Sequence, residues 1–130
     1  MEYKNIDQNL NELSKEILGL ALKVHKTLGP GLLESAYKAC LFYEITTAGY
    51  FAEKEKPVPL VYDHVKLDIG YRIDILVEGK LVLEIKSIDS LADIHTTQLL
   101  TYLKLSGRRL GLLLNFNVAL LKTGIKRLVL

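Results

Sequence analysis

The sequence predicts an α/β fold in a single domain spanning residues 1–130, with its elements in the order α-α-β-β-β-α-β-β. Three observations carry that prediction. Apolar residues recur every three or four positions over the first third of the chain. The period drops to two after Gly49. It returns to three and four between Ile94 and Leu105, before two short apolar runs close the chain.

Ile6, Leu10, Leu13, Ile17, Leu20, Ala21, Val24 and Leu28 form the stripe of an amphipathic first helix, which Gly29-Pro30-Gly31 must end. A second helix follows from about Leu32 to Ala48, with Leu33, Ala36, Tyr37, Cys40, Leu41, Tyr43 and Ile45 as its apolar members and Gly49 as its stop. Phe51–Tyr62 alternates through Val58, Leu60 and Tyr62, and Pro57 and Pro59 mark it as an edge or irregular strand. Two strands, Tyr71–Val77 and Leu81–Ser87, come next. The helix from Ile94 to Leu105 is capped by Gly107, and Arg109–Asn115 and Ile125–Leu130 complete the strands.

Composition narrows the function. The chain is 49% hydrophobic and 25% charged, which excludes a disordered segment. No apolar run approaches the ~18 residues of a membrane span, and the polar start MEYKNIDQNL does not read as a secretory signal. Cys40 is the one cysteine, which excludes an internal disulfide framework and any multi-cysteine metal site and makes a reducing, cytoplasmic setting the expectation. A net charge of +2 permits a polyanionic partner without arguing for one, and the basic groups Lys104, Arg108, Arg109 and Lys122, Lys126, Arg127 read as solvated surface.

The run GYRIDILVEGKLVLEIKS, residues 70–87, is the informative stretch. Its strands place Ile73, Ile75, Val77, Leu81, Leu83 and Ile85 on one parity and Arg72, Asp74, Glu84 and Lys86 on the other. A three-residue loop, Glu78-Gly79-Lys80, pairs Val77 with Leu81 and therefore Asp74 with Glu84, and it puts the odd apolar positions on one face. Two carboxylates directly opposite repel. A divalent cation between them reverses the sign, since hard oxygen ligands suit Mg²⁺ or Mn²⁺ and leave positions for water and phosphate oxygens. Lys86, on the same face, can then orient the attacking water or meet developing phosphate charge. The ordinary alternative is that Lys86 and Arg72 neutralise both acids in a surface charge ladder.

Flanking motifs add context. G-x-x-E-x-x-Y, from Gly31 through Glu34 to Tyr37, opens the second helix, and Gln98 and Tyr102 stand one turn apart on the helix after Lys86. With VHKTLGPGLLESAY, HTTQLLTYLK and GLLLNF around the hairpin, the chain resembles the PD-(D/E)XK nuclease superfamily from about Val24 to Phe116. More narrowly, it resembles the GxxExxY protein family of its RecB-like branch. The resemblance implies a restriction-endonuclease-like core, α-β-β-β-α-β, with a mixed central sheet flanked by helices and an extra N-terminal helix. It implies that Asp74, Glu84 and the backbone carbonyl of Ile85 ligate Mg²⁺, for which Mn²⁺ may substitute, and that Lys86 is the catalytic lysine. Glu34 would be a further ligand or outer contact, and Gln98 and Tyr102 would position the nucleic-acid strand.

The implied activity is metal-dependent hydrolysis of phosphodiester bonds, in DNA more than RNA, with a homodimer as a plausible assembly for cutting both strands. The superfamily's proline before the aspartate is absent, Tyr71-Arg72-Ile73 standing there, and one cysteine cannot build the iron–sulfur cluster of some RecB-like relatives. An inactive module binding nucleic acid or a protein partner, and a structural or oligomerisation domain, are the alternatives. His25 and His95 lie close to the motifs, and each can be either a site residue or a helix cap.

Overall fold

The structure, a computed structural model, describes residues 7–130; Ile6 of the expected first stripe lies outside them. Helix α1 runs Gln8–Leu28, and Asp7 caps it by accepting Leu10 N–H at 2.8 Å. Leu10, Ile17, Ala21 and Val24 bury its apolar face, and Gly29, at φ +67, ends it. Helix α2, Glu34–Thr47, buries Tyr37, Leu41 and Ile45. Leu33 and Tyr43, expected among its apolar members, stand exposed: Leu33 precedes the helix as its N-cap residue, and Tyr43 lies off the face that buries Tyr37, Leu41 and Ile45.

Five strands form a mixed sheet in the order β1 (Ala52–Pro57), β4 (Arg72–Val77), β5 (Leu81–Lys86), β6 (Leu110–Asn115), β7 (Ile125–Val129). Only β5 and β6 run parallel, joined across helix α3 (Asp93–Ser106), as a parallel crossover requires. Gly107, at φ +68, caps α3. This is the α/β restriction-endonuclease-like architecture the sequence predicts.

One expected strand divides. Phe51–Tyr62 breaks after Pro57: β1 forms the sheet edge, while β2 (Leu60–Tyr62) pairs with β3 (Val65–Leu67) as a separate hairpin. Pro57 and Pro59 offer no amide hydrogen to continue the edge. Asp63, at φ +59, supplies the left-handed turn between β2 and β3.

Both sheet faces are covered. Ile75, Val77, Leu81, Leu83 and Ile85 pack with Leu112 and Leu114 against α1 and α2. Leu76, Val82 and Leu113 pack against Leu99, Tyr102 and Leu103 of α3. The face that carries Asp74 and Glu84 is therefore not the wet side of an open sheet. Ile73 departs from its parity and joins the α3 side.

Candidate active site at the end of the β4–β5 ladder

The β4–β5 ladder has the register the three-residue loop requires: Val77 opposite Leu81, Leu76 opposite Val82, Ile75 opposite Leu83. Glu78 and Gly79, at φ +54 and +66, make the turn. The next rung would pair Asp74 with Glu84, but here a side chain replaces the backbone. The amide of Ile85 donates to Asp74 Oδ2 at 2.8 Å. Beyond this point β4 stays paired with β1 alone, through Lys56–Ile73 and Pro57–Arg72, and Ile73 turns to the other face.

Asp74 and Glu84 are 8% and 5% exposed, so both carboxyls are withdrawn from water. Burial first, then the hydrogen bond and charge of Asp74, push the Glu84 carboxyl up to about 9, with the charge of Lys86 opposing. Two acids this close cannot both ionise cheaply, and Glu84 holds the proton. Such a pair fits a hard divalent cation, which would replace the proton as the charge that keeps the acids together. Among the described residues no three His, Cys, Asp or Glu side chains converge on one point. Side chains would therefore supply two ligands and leave the rest to a backbone carbonyl and water, which suits Mg²⁺.

Lys86, half-buried at the end of β5, donates to Gln98 Oε1 at 3.3 Å, and Gln98 Nε2 donates to the Tyr102 hydroxyl at 3.4 Å. The predicted lysine and both residues of the Q-x-x-x-Y pair thus form one hydrogen-bonded chain beside the acids. Burial, and then the charge of Glu84, hold the Tyr102 hydroxyl above its usual range, so it keeps its proton. Tyr71 meets the Tyr102 ring edge-on, 6.0 Å between centroids.

Glu34 is exposed on the first turn of α2; it does not complete a three-acid cluster, although its charge adds to the upward push on Glu84. Its motif partner explains its placement. Tyr37 is fully buried and stacks on Phe116 at 4.7 Å, and its hydroxyl donates to Gly29 O and accepts Leu32 N–H. That closes the Gly29–Leu33 loop on itself and delivers Glu34 to the start of the helix. Ser87 Oγ donates to Leu32 O at 2.6 Å, fastening the same loop to the end of β5.

Neither open histidine touches the acids. The ring of His25 meets Val118 O at 2.7 Å, joining α1 to the loop after β6. His95 Nδ1 accepts Ala92 N–H at 2.9 Å and caps α3. The neutralising role imagined for Arg72 also falls away, because its guanidinium turns to Asp68 at 3.3 Å. Of the basic surface groups, Arg108 ties to Gly79 O in the hairpin turn and Arg109 to Leu130 O.

Sequence reasoning missed three residues here. Lys38, one turn after Glu34 on α2, sits 3.2 Å from Asp74 Oδ1 and also bonds Glu55 on β1. Burial opposes its charge, but the bond to Glu55 and the nearby Asp74 hold its pKa above the ordinary lysine value. No local sequence signal marks Lys38 or Glu55, since both contacts join elements distant in the chain. Asn115, 1% exposed, accepts Ile88 N–H at 3.1 Å and donates to Ile88 O at 3.0 Å, pinning the loop that follows Lys86.

A family model described as the PD-(D/E)XK nuclease superfamily matches residues 11–128. The chain belongs to the PD-(D/E)XK nuclease superfamily. No curated protein and no solved structure matches it. The superfamily match runs from the first turn of α1 into β7 and takes in α2, the hairpin and α3, so the Asp74–Glu84–Lys86 cluster lies inside it. No helix among the described residues is long and apolar enough to cross a membrane.

Proposed function

We propose that this PD-(D/E)XK superfamily member is a metal-dependent nuclease that hydrolyses phosphodiester bonds of nucleic acid, DNA in preference to RNA, as one domain acting in the cytoplasm. The observation that carries the reading is the buried Asp74–Glu84 carboxylate pair with Lys86 on the adjoining position. Glu34 with Tyr37, and Gln98 with Tyr102, support the narrower affiliation to the GxxExxY family of the RecB-like branch.

In this reading Asp74, Glu84 and the carbonyl of Ile85 hold Mg²⁺, or Mn²⁺ in its place. The ion supplies positive charge against the scissile phosphate and makes water available as nucleophile. Lys86, held by Gln98, keeps its ammonium beside the acids, where it orients the attacking water or offsets charge gathering on the phosphate. Gln98 holds Lys86 through its oxygen and Tyr102 through its nitrogen, so it fixes both groups toward the strand. Glu34 reaches the site through water. A second copy would supply the second cut of a duplex.

The test is cleavage of supercoiled and oligonucleotide DNA with Mn²⁺ or Mg²⁺, run beside calorimetric Mn²⁺ titrations. Wild type should bind Mn²⁺ and cut. Lys86→Met should keep the binding and lose hydrolysis by at least about 100-fold, and Glu84→Ala should lose both. Hydrolysis that survives in Glu84→Ala, or folded wild type that takes up no Mn²⁺ at millimolar concentration, would overturn the reading and leave a nuclease-fold binding module.

A further inference from the structure

Both oxygens of Asp74 are engaged. Oδ2 accepts the Ile85 amide at 2.8 Å, and Oδ1 faces the Lys38 ammonium at 3.2 Å. Lys38 has a second carboxylate partner, Glu55, which is not among the proposed ligands. Glu55 lies on β1 between the rungs Lys54–Ile75 and Lys56–Ile73, directly across from Asp74. Its φ of +52 is one that a glutamate rarely adopts inside a strand. The Lys38 side chain is 17% exposed, so its ammonium is held in the site, while Glu55's is 53% exposed.

We propose that Lys38 is the resident counter-cation of the Asp74–Glu84 pair, that a divalent cation must displace its ammonium from Asp74 Oδ1, and that Glu55 retains the ammonium once displaced. The proposal rests on the reading of the acid pair as a metal site. An ammonium and a divalent ion cannot share one carboxylate oxygen at contact distance without strong repulsion. Lys38 has a flexible four-carbon stem and donors free to rotate, so it can leave Asp74 without leaving Glu55. The other nearby ammonium, on Lys86, is turned to Gln98 and leaves Asp74 to Lys38. The arrangement keeps the acids neutralised when no ion is bound, at the cost of weaker ion binding.

Calorimetric Mn²⁺ titration without substrate tests this on wild type, Lys38→Met, Glu55→Gln and the double variant. Lys38→Met should bind at least about threefold more tightly, within the coupling expected of contacting groups. Glu55→Gln should bind more weakly, since the displaced ammonium loses its refuge. In the Lys38→Met background Glu55→Gln should have no effect, which separates ammonium retention from general loss of negative charge. Lys38→Gln should repeat Lys38→Met if the latter folds poorly. Lys23→Met, which removes an exposed lysine paired with Glu44, should leave affinity unchanged.

Equal or weaker binding in both Lys38 variants would overturn the proposal, making Lys38 a support for Asp74. An undiminished Glu55→Gln effect in the double variant would overturn the role of Glu55. If wild type binds, Glu84→Ala does not and the Lys38 variants match wild type, the counter-cation alone falls. If none of the proteins binds Mn²⁺, the metal site falls with it.

Discussion

Raising the pH of the metal-free protein from 6 to 8 should destabilise it through one residue, Glu84. In the unfolded chain this carboxyl ionises near 4.5, and in the folded protein it is pushed up to about 9. Between those values the folded state holds a proton that the unfolded state has lost, so stability falls as pH rises. The slope for one such proton is about 1.4 kcal/mol per pH unit, and two units remove about 3 kcal/mol. That is a large share of the ~5–15 kcal/mol of an ordinary domain. Urea unfolding in chelator at pH 6, 7 and 8 reads it directly, with Glu84→Gln as the comparison. The glutamine keeps the shape and cannot ionise, so its profile should be flatter. Saturating Mn²⁺ should abolish the difference by taking the proton's place. Parallel pH profiles for the two proteins would refute the argument that the acid pair is strained by its own charge.

Two further outcomes follow from the loop geometry. Tyr37→Phe removes the hydroxyl that joins Gly29 O to Leu32 N–H, and it should cost about 1–3 kcal/mol in urea unfolding; a loss below about 0.5 kcal/mol would mean that the loop closes without it. Gly124→Ala would set a Cβ 2.3 Å from the carbonyl oxygen of Asn115, and the backbone shift this forces should lower stability by about 1–3 kcal/mol in the same assay, whereas an unchanged midpoint would show that the turn can move.

The parts of this fold that were legible in the sequence are those fixed by local periodicity. The α1 stripe and the Gly29 stop are local signals, and the register of the β4–β5 hairpin follows from its own alternation and its glycine-containing loop. The nearness of Asp74 and Glu84 could be read for the same reason, by counting from a turn, although the ladder stops one rung short of pairing them. The division of Phe51–Tyr62 was harder, because the β2–β3 hairpin depends on Asp63 adopting a left-handed conformation that aspartate only sometimes takes. Lys38 and Glu55 were not legible as site residues. They lie on a helix and an edge strand, where a charged side chain is ordinary. Only packing α2 beside the end of the β4–β5 ladder brings them to Asp74. Asn115 hid in the same way, as a polar end to the apolar run LGLLLN, until the fold placed Ile88 against it.

The Ile85 amide, bonded to the Asp74 side chain rather than to a backbone carbonyl, makes the site readable without any substrate. Its hydrogen-exchange rate and amide chemical shift depend on where the Asp74 carboxylate points. A ligand that draws Asp74 away would release this one amide to solvent while Leu83, two residues nearer the turn and paired with Ile75, keeps its protection. A cation that engages Asp74 through Oδ1 alone would leave the amide bonded and shift only its resonance. The fold thus carries, one bond from the acid pair, a backbone probe that distinguishes occupancy from disruption.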